Sequence, residues 1–390
     1  MNKRKLLLLV PMLHQGGFER VCVTTARLME PYYDVTIALF SNANIAYDIE
    51  GLRIVNLNLG VRKGNLQKVI NVFKRVSKVR KLKNELKPEI TYSFGPTANL
   101  VNALSPTQGT RIWLGLRNYT DLLAKQKMKL FTKRADLILC CSKHIETELQ
   151  NKFNYFQTAT IYNPYDVKAI QNTALEHEPT LPYEDEVTWL LSMGRDDEMK
   201  GFAHMIKAFK CVQDKHPECK LMILGAGTYE KYKKLAEELG IADQVYFAGM
   251  QKEPYGYLKH GAIYLLTSQN EGFPNALVEG MCLGLAAVSV DCKTGPAEII
   301  LEEYQTGIQE VKYGDYGILL PEMQFTPNYD PAVISKEEEN MASVIVDLLE
   351  DKEKLNQYQN KALERAQIFT YEAYTNKLLT FCEKCIENKI

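Results

Sequence analysis

Residues 267–292 read TSQNEGFPNALVEGMCLGLAAVSVDC. An apolar strand, AIYLLT at 262–267, passes through a Gly/Pro turn into a helical segment and then into a second apolar strand, AAVSVD at 286–291. Strand, turn, helix and strand in that order make one step of a parallel sheet, and such sheets bind ligands beyond the C-terminal ends of their strands. Glu271 falls in the turn. Glu279 falls eight residues later, in the helix among Leu277, Val278, Met281 and Leu283. Pro274 suits the first helical position, where a missing N–H is no loss. A helix start offers unpaired N–H groups and the positive end of its dipole, so it favours an anion. Two acids beside such a start read as a grip on a phosphate-bearing sugar donor.

The same alternation extends outward in both directions. KLLLLV, VTIALF, EITYSF, RIWLGL and DLILCC punctuate the first half, and TWLLSM, KLMILG, QVYFAG, AIYLLT and AAVSVD the second, with helical patterns between them. The fold class is therefore α/β, with two doubly wound, Rossmann-like units facing a cleft. The expected division is a basic N-terminal domain over 1–165, a Pro- and acid-containing linker over 166–186, and a donor domain over 187–370. After 339 the spacing predicts two helices with a break near Thr370, the second running over 371–390.

The chain has 390 residues, 46% of them hydrophobic, enough for two complete cores. Its nine cysteines are odd in number and scattered, which suits a reducing, cytoplasmic setting better than a disulfide framework. Cys382 and Cys385 form a C-x-x-C pair without a second ligand pair and are assigned no role. The N-terminal KRKLLLLVPML imitates a secretion signal but lacks a small-residue cleavage site, and a buried strand explains it. No stretch has the length of a membrane span, so the expected protein is soluble or sits on a membrane face. Net charge is −1, yet residues 1–165 carry 25 Lys+Arg against 11 Asp+Glu (+14) and the remainder 22 against 37 (−15). The first half is thereby expected to face something anionic.

EGFPNALVE at 271–279 resembles the E-x7-E element of the retaining, family 4 (group 1) glycosyltransferases of GT-B fold, of bacterial polysaccharide and glycolipid type. The resemblance implies that Glu271 touches hydroxyls of the transferred sugar and that Gly272, Phe273, Pro274 and Asn275 lie along sugar and diphosphate. It gives Glu279 the nucleotide ribose. Gly194, Arg195 and Lys200, in the turn after TWLLSM, match the family's diphosphate-binding segment. Fixed cations there would stabilise charge on a departing nucleoside diphosphate and replace a metal. No Asp-x-Asp occurs, and no metal or other cofactor is expected. Gly16 and Gly17 resemble the glycine loop of the first domain, with His14 beside them as either a site residue or a packed loop histidine. Met250 and Gln251 fall where the family holds the base. The resemblance also implies that the last helix returns to the first domain. Relatives place a histidine in the region of RNYTDLL, which has none here. Arg117 either meets an acceptor phosphate or pairs with Asp121, and Asn118 is its neighbour on the acceptor side. DCKTGPAE at 291–298 resembles a segment of the polysaccharide transferases.

Between 66 and 86 apolar residues recur at helical spacing, opposite a face carrying Lys68, Lys74, Arg75, Lys78, Arg80, Lys81 and Lys83. With the lysines from 125 to 133, that face is expected to contact an anionic membrane, and no nucleic acid partner is expected. The reading is a retaining, metal-independent transferase that moves a hexosyl group from a UDP-sugar or related donor to a glycan or lipid-linked acceptor. It would sit on the inner face of the cell membrane and serve surface polysaccharide or glycolipid assembly. A nucleotide-sugar epimerase or hydrolase is the enzymatic rival, and a basic adaptor the non-catalytic one.

Overall fold

All ten apolar runs are strands, and nine of them are buried through their centres because helices cover both faces of the sheet, while QVYFAG, at a sheet edge, is largely half-buried. The structure is a computed structural model describing residues 3–60, 64–181, 187–304 and 306–386. It comprises two compact units, Met1–Pro164 with Tyr371–Ile390, and Tyr165–Thr370.

In the first unit the strands are β1 (Arg4–Val10), β2 (Tyr33–Leu39), β3 (Ile54–Asn56), β4 (Ile90–Phe94), β5 (Arg111–Leu116), β6 (Leu137–Cys140) and β7 (Thr158–Thr160). They form a parallel sheet in the order β3-β2-β1-β4-β5-β6-β7. The helices are α1 (Gly17–Met29), α2 (Asn65–Leu86), α3 (Pro96–Leu104), α4 (Lys125–Arg134) and α5 (Lys143–Phe153). Alternation along β1 divides the core. Leu6, Leu8 and Val10 face α1, while Leu7 and Leu9 face α2 and α3.

The second unit repeats the plan. Its strands are β8 (Thr188–Met193), β9 (Cys219–Leu224), β10 (Val245–Gly249), β11 (Gly261–Leu266), β12 (Ala286–Val290), β13 (Lys312–Gly314) and β14 (Gly317–Leu320). Their order is β10-β9-β8-β11-β12-β14-β13, parallel except for β13 against β14. Its helices are α6 (Val167–Glu176), α7 (Phe202–Gln213), α8 (Glu230–Glu238), α9 (Pro254–Leu258), α10 (Asn275–Cys282), α11 (Pro296–Ile300), α12 (Lys336–Glu350) and α13 (Lys352–Ala366). In each sheet the order reverses beside the first strand, between β1 and β4 and between β8 and β11. Helices leave these strand pairs toward opposite faces, which opens a crevice at the C-terminal edge.

Three expectations are corrected. The stretch read as a linker is α6 over its first half, capped by the Asp166 carboxylate on the Ala169 N–H at 2.9 Å. Such a cap stabilises a helix by about 1 kcal/mol. Val167, Ile170 and Ala174 bury against α9 and α10, and Gln171 donates to the Cys282 carbonyl at 2.9 Å. Residues 182–186 of that stretch lie outside the described residues. The segment before Thr370 is two helices rather than one, because Asp351 ends α12 and caps α13 by accepting from Lys354 N. The final helix, α14 (Tyr371–Ile386), belongs to the first unit. Tyr374, Leu378, Cys382 and Cys385 bury one stripe of it in the same core as α1, and the Tyr374 hydroxyl meets Thr25 Oγ1 at 2.7 Å. The C-x-x-C thiols are thus packing groups, and burial pushes Cys382 up to about 12. Residues 387–390 of the expected helix lie outside the described residues.

The third correction concerns α2. Its buried stripe runs through Asn71, Arg75, Val79, Leu82 and Lys83, while Val69, Ile70 and Phe73, expected in the core, are exposed. Long basic stems pack against the core, and their charged ends reach carbonyls that the loops leave unpaired. Arg75 donates to Leu59 O at 2.9 and 2.6 Å, and Lys78 to Leu57 O at 2.7 Å. Arg80 donates to Leu104 O at 2.9 Å. Lys83 donates to Asn102 Oδ1 at 2.7 Å and Ser105 O at 2.9 Å.

Burial of Lys83 pulls its pKa from 10.5 to about 7. Between those values the unfolded chain carries a proton that the folded chain lacks, so raising the pH favours the fold. The stability of the wild type relative to Lys83→Met is expected to climb between pH 7 and 10.5, by up to about 1.4 kcal/mol per pH unit. Urea titrations of both proteins across that range provide the check, and parallel curves would contradict it.

Candidate active site

Lys200 and Glu271 meet at the strand-order reversal of the second unit. Lys200 lies in the segment that follows β8 and Glu271 in the one that follows β11, the neighbouring strand. Lys200 Nζ donates to Glu271 Oε1 at 2.7 Å, with side chains 24% and 15% exposed. The pair is therefore sheltered yet open to a ligand. Burial alone would lower the Lys200 pKa, but Glu271 outweighs it and holds the ammonium above its ordinary value. The positive charge of Arg195 opposes that effect, which puts the two cations within electrostatic reach of each other.

Backbone contacts fix both loops. Thr267 Oγ1 donates to Lys200 O at 2.9 Å, and Gln269 N donates to Met199 O at 2.8 Å, so the Lys200 turn is tied to the end of β11. Asp197 closes that turn by accepting from Met199 N at 3.0 Å. Gly201 has φ +65°, and a Cβ there would lie 2.2 Å from the Thr267 carbonyl oxygen. Only glycine allows this approach. On the other side Glu271 N donates to Lys293 O at 2.7 Å, and Thr294 N returns to Glu271 O at 2.8 Å. Thr294 Oγ1 donates to Gly272 O at 2.7 Å. The DCKTGPAE segment is thus the prop beneath the Glu271 turn. Gly194 and Arg195 are carried by a similar lattice: Gly194 N donates to Leu224 O and Tyr229 OH to Gly194 O, at 2.8 and 2.7 Å. Asp196 accepts from Tyr229 N at 2.9 Å.

The helix after Glu271 starts one residue later than expected. Pro274 is the cap of α10 and Asn275 its first residue. Phe273 is buried against Phe369, and Asn275 Oδ1 accepts from Tyr165 OH at 2.6 Å. Glu279 lies one turn into α10 and is 5% exposed. Tyr264 of β11 lies under this helix, where a Cβ on Gly280 would strike its ring at 2.7 Å, and its hydroxyl accepts from Met193 N at 3.1 Å. That one ring connects α10 with the end of β8. Cys292 is also buried beside the pair. Burial first, then the negative charge of Glu271, keep its thiol well above the ordinary range and hence protonated. Sequence reasoning missed Thr267, Thr294, Tyr229 and Tyr264 because their contribution is to join loops that are far apart along the chain. Their only local signal is position at or just beyond a strand or glycine turn.

The remaining expected residues lie elsewhere. Met250 and Gln251 follow β10, on the same edge but three strands from β11. Met250 is 57% exposed, and Gln251 Nε2 donates to Ala248 O at 2.5 Å. In the first unit, Gly16 caps α1 and its N–H donates to Tyr47 OH at 2.8 Å, with Gly17 the first helical residue. His14 Nε2 lies 3.0 Å from Ala43 O. Arg117 does not pair with Asp121 through its guanidinium. It donates instead to the Tyr92 hydroxyl and to Asn163 Oδ1 at 3.1 Å, over the Phe94 ring. This corrects the ion-pair alternative, since the carboxyl of Asp121 takes backbone hydrogen bonds from Arg117 and Asn118. Asn118 caps a short 3-10 turn by accepting from Thr120 N at 2.9 Å. Among the described residues, no group of three or more His, Cys, Asp or Glu side chains is placed to hold a metal ion.

The family model described as glycosyl transferases group 1 matches residues 175–314, the span that contains Gly194, Arg195, Lys200, Glu271 and Glu279. An uncharacterised glycosyltransferase of Methanocaldococcus jannaschii is 30% identical over 329 residues, covering 77% of this chain and 80% of that protein. The chain belongs to the group 1 glycosyl transferases. A Campylobacter jejuni relative is 26% identical over 382 residues, 94% of this chain and 96% of its own length. It is named as an N-acetylgalactosaminyltransferase acting on a diphospho-undecaprenol-linked sugar. Among solved structures, HepE of Anabaena in complex with UDP superposes with a TM-score of 0.76 at 18% identity, over 97% of this chain and 100% of that one. The fold of two Rossmann-like α/β domains is that of the GT-B glycosyltransferases.

Gly201→Ala is expected to destabilise the second unit by about 1–3 kcal/mol, because the added methyl meets a carbonyl and the left-handed backbone disfavours it. Chemical denaturation measures this, and unchanged stability would show that the Lys200 turn yields freely.

Proposed function

We propose that this chain is a retaining, metal-independent hexosyltransferase of family 4 type, using a UDP-sugar and forming an α-linkage on a glycan or lipid-linked acceptor. The observation that carries the reading is the 2.7 Å Lys200–Glu271 pair at the strand-order reversal, beside the start of α10. A carboxylate there suits sugar hydroxyls, while Lys200, Arg195 and the positive end of the α10 dipole suit a diphosphate. The UDP held by HepE supports uridine as the base, and Glu279 is assigned the ribose. The diphospho-undecaprenol in the name of the Campylobacter relative supports a lipid-linked acceptor in surface polysaccharide or glycolipid assembly. That acceptor favours a peripheral position on the inner face of the cell membrane.

In the proposed mechanism the bond from the anomeric carbon to the donor phosphate breaks as the acceptor hydroxyl bonds to the same face of that carbon. The departing phosphate oxygen takes the hydroxyl proton. Lys200 and Arg195 stabilise the growing negative charge more than they stabilise the bound donor, which lowers the barrier. Glu271 orients the sugar. A double displacement would need a second carboxyl about 5 Å from the first, whereas Glu279 is assigned a separate duty at the ribose. These cations serve in place of a metal, and no other cofactor is invoked.

Lys200→Ala, Arg195→Ala and Glu271→Ala are each expected to lower kcat by about 100-fold or more with unfolding midpoints little changed. Release of UDP from a panel of UDP-sugars, with lipid extract as acceptor, measures it. Wild-type rates in all three would remove this site from the mechanism, and equal turnover without acceptor would indicate a hydrolase.

A further inference from the structure

The exposed apolar residues of α2 are grouped. Phe73 is 70% exposed, Val69 52% and Ile70 37%, and all three lie within the first three turns of the helix. Spacings of one, three and four residues place them on one side, away from the Asn71–Arg75–Val79 stripe that faces the core. Each helix returns antiparallel to its strands, so α2 and α4 both begin at the C-terminal edge of the first sheet. Both pack on α3, and Leu123, 63% exposed, precedes α4 at that same edge. His14, Gly16 and Asn118 belong to loops of this edge.

Charge identifies what covers the patch. Lys74, four residues from Ile70, is exposed beside the apolar residues, Lys68 is exposed in the first turn at the same end of α2, and Lys125, Lys127 and Lys129 are exposed beside Leu123. The first three turns of α2 contain no acid, and neither does α4. A protein partner with a matching apolar face would have to bring an acidic rim. A bilayer containing anionic lipid supplies both an apolar layer and negative headgroups at one depth.

We propose that this edge of the first unit docks on an anionic lipid bilayer by insertion: Val69, Ile70, Phe73 and Leu123 enter the headgroup–acyl boundary, and the five lysines contact headgroups. This deepens the peripheral placement proposed above and rests on it for the choice of partner. It differs from contact through the basic face of α2, because Arg75, Lys78, Arg80 and Lys83 are occupied by carbonyl and amide oxygens of their own unit. Docking here would bring the edge that carries the acceptor-side loops to the membrane, where a lipid-linked acceptor resides.

The test uses the full chain with vesicles of zwitterionic lipid alone and with an anionic lipid admixed. Phe73→Gln removes apolar surface without changing charge and is expected to weaken binding to anionic vesicles by about tenfold or more. Lys68→Gln and Lys74→Gln are each expected to weaken it roughly fivefold. In Phe73→Trp the new indole is expected to shift its emission to the blue on vesicle addition, because Trp113 and Trp189 are buried at 1% and 4% exposure and report little change. Wild-type binding by Phe73→Gln, or an emission spectrum of Phe73→Trp that vesicles leave unshifted, would overturn insertion. So would light scattering that shows a dimer of the wild type dissociated by Phe73→Gln, since a second copy would then be the occupant. UDP release by Phe73→Gln with a water-soluble acceptor is expected to match the wild type. If the wild type docks but releases no UDP from any donor, the transferase reading fails and the docking surface stands.

Discussion

The ion pair between Lys200 and Glu271 is a constraint on the loops that carry it as much as a feature of the site. Two opposite charges near solvent attract only weakly unless both are held, since each side chain otherwise exchanges its partner for water. Here both are held through backbone. The Lys200 turn is bonded to the end of β11, and the Glu271 turn is bonded to the 293–294 segment beyond β12. Charges positioned before the substrate arrives do not have to reorganise during the reaction, which is the usual source of large electrostatic rate effects.

That requirement explains the small residues around the pair. Gly201 lets the Lys200 turn lie against the Thr267 carbonyl, and Gly295 approaches Pro274 so closely that a Cβ would sit 2.6 Å from its ring. Tyr264 and Cys292 fill the space below with groups that burial keeps neutral. These two neutral side chains pack tightly beneath the charged pair.

The first unit shares the order of its first five strands with the second and uses it differently. Its glycine loop is bound to Tyr47, and Arg117 is bound among Tyr92, Asn163 and Phe94. The Gly16–Tyr47 bond joins the segments after β1 and β2, and the Arg117 bonds join β4 to the segments after β5 and β7. The excess positive charge of this half is also partly internal, since Arg75, Lys78 and Lys83 satisfy carbonyls that loops leave open. What remains outward is a set of lysines around exposed apolar side chains.

The ten principal strands were legible in the chain alone, because a strand covered on both faces is apolar along its whole length and no neighbour is needed to read it. So was the Glu271 turn, where the strand, the Gly/Pro break and the helix are consecutive and their chemistry is local. The βα order was enough to put Lys200 and Glu271 on one edge. Which side of α2 faces inward had to wait for the folded chain, since that helix has apolar residues around much of its circumference and its lysine and arginine stems pack as well as leucine does. Likewise, Asp166 reads equally as a linker acid or a helix cap until α9 and α10 are present to bury Val167 and Ile170. Arg117 had two partners in the sequence and took neither side-chain contact with Asp121 nor an open position, because Tyr92 and Asn163 come from strands and loops 25 and 46 residues away. Local periodicity and local charge are carried by neighbouring residues, whereas the partner of a long polar side chain is chosen by packing between distant ones.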